Sequence, residues 1–224
     1  MSQDKPEDND TEAQRRPVVT IAGRYGAGGH IIGPRVAERL GVQFLDRAIP
    51  DAIARQMGIP ESAVESEDEH PQSRMSRMLG ALAQAPLPTS GESAGQLRMD
   101  DRAMQSQIED FLAKAAAAGG VILGRGGAVV LASVPSALHV FLQGPRDARV
   151  KRVMDREHVD RQTAEHRVDA NDRARREYVH QRYGVEGDDP GLYHLVIDGC
   201  AFEVDSIVDF IVHASQLRLQ QAES

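Results

Sequence analysis

Tryptophan is absent from this sequence, and aromatic residues make up only 4% of it. A surface that stacks unpaired bases needs exposed rings, so the scarcity counts against a single-stranded nucleic-acid platform. Positive charge is not in excess either: the formal net charge is −8. A duplex-binding face must displace counterions with Lys and Arg, and that balance counts against a general nucleic-acid binder. There is one cysteine, Cys200. It can form no internal disulfide and no cysteine-based metal cluster, and beside an apolar run it reads as a half-buried structural thiol. No apolar run approaches the roughly 20 residues of a membrane-spanning helix. The chain opens on a polar segment, Met1 to Arg16, rather than an apolar leader. A reducing cytoplasm is the expected compartment, with no membrane and no nucleic-acid partner. The eight histidines show no H-x-x-H or H-E-x-x-H spacing of a metal site.

What is present is an ordinary globular mix, 41% hydrophobic and 27% charged over 224 residues, enough for one α/β domain with a small inserted lobe. Residues 1–16 read as a disordered tail and 17–219 as the domain. Apolar, β-branched runs at 17–22, 42–45, 120–124, 137–142 and 193–198 predict buried strands. Helical spacing follows the first strand and ends at Gly41, whose residue type suits a C-cap. Further helices are expected from about 46 to 57, 72 to 84, 98 to 118, 145 to 183 with a break near 158, and 202 to 219. An acidic loop at 59–70 and a proline- and glycine-bearing connection at 85–97 interrupt them. Buried strands alternating with helices predict a parallel sheet covered on both faces, which binds ligands at the carboxyl ends of its strands.

The segment Gly23-Arg24-Tyr25-Gly26-Ala27-Gly28-Gly29-His30 lies between the first strand and the first helix. Glycines permit left-handed backbone and close approach, and a following helix adds the partial positive charge of its N-terminus. That is the requirement of a phosphate loop. In the pattern G-x-x-x-x-G-K-[ST], Gly23 and Gly28 take the glycine positions, but Gly29 stands in place of Lys and His30 in place of Ser or Thr. The cradle is there; its cation and its magnesium-binding hydroxyl are not. A dinucleotide fingerprint, G-x-G-x-x-G, fits Gly26 and Gly28 but meets Ile31 at its third position, with Asp46 where a ribose-binding acid would stand. That keeps an oxidoreductase reading open.

The run from Val19 to Gly33 resembles the opening of the cytidylate kinase-like family, whose members also lack that lysine. The resemblance continues through Phe44 to Arg47, Val121 to Gly126, Val140 to Arg149, Asp172 to Tyr178 and Tyr193 to Asp198. It implies a three-layer α/β/α P-loop nucleotide kinase fold with a parallel five-stranded sheet. A helical acceptor-binding lobe is implied at about 47–118, and a lid at about 155–185. The implied reaction is transfer of the ATP γ-phosphoryl group, with Mg2+, to CMP or dCMP. The implied partners are small-molecule nucleotides; monomer and homo-oligomer stay equally open.

The resemblance also implies site residues. Residues 23–30 would bind the donor, with Gly26 to His30 on its β-phosphate. Arg24, Arg149 and Arg175 would neutralise the transferring group, a task suited to the fixed fork and permanent charge of arginine. Asp46, matching the aspartate of the family's L-D-x-G stretch, would hold a magnesium-bound water or the acceptor; as an ordinary residue it would cap a helix. Arg47, next to it, is a weaker acceptor-side candidate. Arg125 resembles the arginine of a G-R-D stretch that binds the acceptor phosphate, although Gly126 replaces its aspartate. Asp172 and Arg175 match the D-x-x-R of the lid, with Arg167 one position away from the lid's upstream arginine. The bland alternative is a solvated helix face on which Glu165 and Asp169 pair with Arg173. A catalytically weak nucleotide-binding regulator and a small-molecule kinase of the same fold are the other functional readings.

Overall fold

A computed structural model describes residues 16–45, 106, 109–110 and 112–223. The helices expected at 46–57 and 72–84, both intervening loops, nearly all of the tail and most of the acceptor lobe lie outside these residues. Among the described residues there are five strands: β1 Val18–Gly23, β2 Gln43–Leu45, β3 Gly120–Leu123, β4 Ala137–Gln143 and β5 Leu195–Asp198. They form one sheet in the order β2-β3-β1-β4-β5. Every pairing is parallel, with Val18 of β1 opposite Gly120 on one side and Ala137 on the other. The expected five-stranded parallel sheet is therefore observed. The dinucleotide alternative predicts β2 beside β1; here β3 takes that place, which corrects it.

Alternation along the strands sorts two cores. Val19 and Ile21 of β1, with Val121, Leu123, Leu138, Val140 and Leu142, face α1 (Gly29–Leu40) and α5 (Val204–Glu223) through Ile32, Val36, Ile207 and Ile211. Val18, Ile122 and Ala137 face the other way, onto Leu112 and onto Leu131, which follows the short α2 (Gly127–Val130). Helix α1 stops where the chain turns left-handed at Gly41, whose φ is 65°.

The arginine-rich region forms α3 (Arg146–Glu157) and α4 (Arg161–Tyr183), separated at the predicted break. Asp160 caps α4 by accepting from the Thr163 N–H at 2.7 Å. Val150 and Val153 of α3 pack with Ala164 and Val168 of α4 around Tyr25 of the glycine loop. Ion pairs brace the two helices: Arg146 with Asp169 at 2.8 Å and Arg161 with Asp147 at 2.7 Å. The hydrogen-bonded partner of Asp169 is thus Arg146 of α3, and that of Glu165 is Arg161, rather than Arg173 of their own helix. Among the described residues no helix is long and apolar enough to cross a membrane.

Candidate functional site

The glycine loop leaves the carboxyl end of β1 and enters α1. Its shape explains its glycines. Gly26 and Gly28 have φ of 81° and 99°, and a side chain at Gly26 would place Cβ 2.7 Å from the Arg149 carbonyl oxygen. Three loop amides are used internally. Arg24 N–H donates to the Leu142 carbonyl, Ala27 N–H to the Arg24 carbonyl, and Tyr25 N–H to Asp172 Oδ1 at 2.7 Å. Among the described residues the N–H groups of Gly26, Gly28 and Gly29 make no hydrogen bond. Gly28 caps α1 without a side-chain bond. Free amides in a curled loop at a helix N-terminus are what an anion needs.

Helices α3 and α4 clasp this loop from behind. Arg149, expected to face the transferring phosphoryl group, is 4% exposed. Its Nη1 donates to the Tyr25 carbonyl and to Asp172 Oδ2, both at 2.8 Å, and its Nε to the Gly144 carbonyl at 3.0 Å. Asp172, expected on the acceptor, is equally committed, joining Arg149 to the Tyr25 amide. Both side chains are buried and hydrogen-bonded to the loop backbone.

Tyr25 carries the second half of the clasp. Its buried hydroxyl donates to Glu157 Oε1 at 2.6 Å and accepts from Arg156 at 2.9 Å. Burial, then the Glu157 bond, raises its pKa. Glu157 also accepts from Arg156 and from Arg167, the latter at 2.6 Å. Burial would raise the Glu157 pKa, but hydrogen bonds from Tyr25, Arg156 and Arg167 outweigh it and hold the carboxyl at about 2.

Other cations ring the loop. Arg175 donates to the Gly23 carbonyl at 2.6 Å and lies over the Tyr25 ring. Arg152 bridges the Gly199 carbonyl, at 2.9 Å, and that of Gly26. Arg24 pairs with Asp188 at 2.9 Å and lies 3.9 Å from Asp172. Arg125 follows β3 in left-handed backbone, φ 60°, between two glycines of similar φ. Among the described residues its side chain makes no hydrogen bond or ion pair; its carbonyl accepts from the Tyr183 hydroxyl at 3.2 Å. Asp46 and Arg47 lie outside the described residues. Among the described residues no group of three or more His, Cys, Asp or Glu could hold a metal ion. Cys200 is partly buried, and burial raises its pKa, as suits a structural thiol.

The structure thus gathers Arg24, Arg149, Asp172 and Arg175 at the loop and leaves Arg125 at the same sheet edge without a bond to it. Sequence reasoning noted Arg152 at the start of the arginine-rich region without giving it a role, and missed Arg156, Glu157 and Asp188. A carboxylate next to an arginine at the end of a charged helix gives no local sign that both will meet a loop more than 120 residues away.

A family model described as cytidylate kinase-like matches residues 18–199. A curated relative, a uronate isomerase from Corynebacterium glutamicum, is 32% identical over 120 residues, 54% of this chain. The match covers 23% of that protein's length. Among solved structures, an uncharacterized protein from Eubacterium ventriosum superposes with a TM-score of 0.62 at 20% identity, covering 90% of this chain and 99% of that one. A gluconokinase from Sinorhizobium meliloti gives 0.51 at 16% identity, covering 94% and 97%. Both likenesses are of fold.

Proposed function

Because the chain belongs to the cytidylate kinase-like family, we propose that it transfers the γ-phosphoryl group of ATP to a nucleoside monophosphate, with CMP or dCMP as the favoured acceptor. Kinase family and fold support nucleotide-dependent phosphoryl transfer; the acceptor is our proposal. The observation that carries the reading is the set of three amides, Gly26, Gly28 and Gly29, that make no hydrogen bond among the described residues, at the mouth of α1 with arginines around it.

In this reading the backbone of residues 23–30 cradles the donor phosphates. Arg24 and Arg175 supply charge to the transferring group. Arg149 and Asp172 fix the curvature of the loop. Arg125 and Asp46, with Arg47, serve the acceptor side. Phosphoryl transfer needs positioning and electrostatic stabilisation more than a general base. When bound, Mg2+ would neutralise developing phosphate charge. It commonly takes phosphate oxygens, waters and one or two carboxylates rather than a protein cage. A loop that binds phosphate would bring phosphate oxygens to such an ion, and Asp46 is the carboxylate we assign to it. The expected setting is the cytoplasm.

A coupled ADP-release assay with ATP, Mg2+ and CMP, dCMP, UMP, AMP and small alcohols tests the proposal. Turnover with CMP or dCMP supports it. Clear ATP binding without turnover on any acceptor would instead favour a regulatory nucleotide-binding protein, the reading motivated by Gly29 in the lysine position. The similarity to part of a uronate isomerase favours a second acceptor class, hydroxylated sugar acids. Uronates belong in the same panel for that reason.

A further inference from the structure

With Gly29 in the lysine position, the loop carries one cation of its own, Arg24, and two carboxylates already face it. Another guanidinium reaches the loop from α3. Arg156 Nη1 lies 3.3 and 3.4 Å from the two ring nitrogens of His30, the residue in the Ser/Thr position. Its Cζ is 5.2 Å from the centre of the Tyr25 ring. Its Nη2 is held by the Tyr25 hydroxyl and by Glu157. Among the described residues, Nη1 hydrogen-bonds only to His30 and Nε makes no hydrogen bond, and the side chain is 30% exposed, so one side of the fork stays open.

The support is fixed on three sides. Tyr25 belongs to the loop, Glu157 is the last residue of α3, and Arg167 of α4 grips the other Glu157 oxygen. Helix α3 ends there because His158 turns left-handed, at φ 50°. Glu157 stays ionised, so it orients two arginines while cancelling only one of their charges. The net positive charge remains beside Tyr25 and His30 of the loop.

We propose that Arg156 is the phosphate-binding cation that takes the place of the missing loop lysine, with Tyr25 and Glu157 as the positioning residues that hold it beside His30. Its ligand is the polyphosphate of a nucleoside triphosphate, so the proposal rests on the kinase reading above. Neighbouring arginines are less suited. Arg149 is buried behind the loop, and Arg152 is spent on carbonyl oxygens.

The test is calorimetric titration of the full chain with inorganic tripolyphosphate, which needs no acceptor and no turnover. Arg156→Ala should weaken binding about tenfold or more, the loss of a charge-assisted contact, and Arg156→Lys should recover part of it. Should the alanine variant not fold, Arg156→Gln carries the same expectation. Tyr25→Phe should weaken binding several-fold in the wild-type background and no further when combined with Arg156→Ala, because its effect runs through Arg156. Wild-type affinity in the Arg156 variants overturns the proposal and leaves the kinase reading standing. An equal loss from Tyr25→Phe in both backgrounds overturns the positioning role. A wild-type chain that does not bind tripolyphosphate overturns the kinase reading and this proposal together.

Discussion

Replacing Asp172 by alanine removes one carboxylate and strands two partners. The Tyr25 N–H loses its acceptor at 2.7 Å, and the Arg149 guanidinium loses its counterion at 2.8 Å. Both charged side chains are nearly inaccessible, at 5% and 9% exposure, so water cannot replace the lost partner. Breaking a buried pair from one side costs about 3–5 kcal/mol, most of it the uncompensated charge. In a domain of this size each kcal/mol moves the melting temperature by about 2–4 °C, so a fall of roughly 6–20 °C is expected. Asp172→Asn keeps an acceptor for the amide and should fall by less. Arg149→Met combined with Asp172→Ala removes the stranded charge and should melt no lower than Asp172→Ala alone. Circular dichroism melts at pH 7 decide the matter. An Asp172→Ala variant melting within about 2 °C of wild type, or a double variant showing the sum of the two single losses, would refute the buried-clasp reasoning.

His139 should make stability depend on pH. Burial, then the charges of His194 and Arg218, lower its pKa from 6.5 to about 4. The unfolded chain therefore takes up the proton first, and stability falls as pH drops from about 6.5 towards 4, by up to about 3 kcal/mol. Urea titrations at pH 7 and 4.5 measure this, and His139→Gln should flatten the difference; an unchanged slope would count against it. Gly26→Ala should cost about 1–3 kcal/mol through its left-handed backbone, and it should abolish ATP binding in a calorimeter, since the new Cβ lies 2.7 Å from a carbonyl oxygen. Asp188→Asn loosens a half-exposed pair with Arg24, so stability should change by less than about 1 kcal/mol while ATP binds more tightly. Weaker ATP binding would show that Asp188 supports the site instead of competing for its cation.

The strands and the glycine loop were legible because their signals are local. Val18 to Ala22 is apolar but for the β-branched Thr20, Gly26 and Gly28 sit where the backbone is left-handed, and Gly41 ends α1 in the same conformation. The break near residue 158 was visible too, although the left-handed residue that makes it is a histidine. The clasp was not legible. Arg149 meets Tyr25 across 124 residues and Asp172 meets it across 147. An arginine in a charged helix reads as solvated until a fold buries it. The same distance hid Glu157, whose partners lie on three separate elements. Helix α2 escaped notice because four apolar or glycine residues after a strand carry no period.

A loop without its lysine should still bind a triphosphate, through the amides of Gly26, Gly28 and Gly29 and the arginines around them. Calorimetric titration of the wild-type chain with Mg-ATP and, separately, with AMP tests it most directly. Saturable ATP binding at least about tenfold tighter than AMP, corresponding to one added charge-assisted phosphate contact, is the predicted result. No ATP binding, or equal affinity for the two nucleotides, would contradict it.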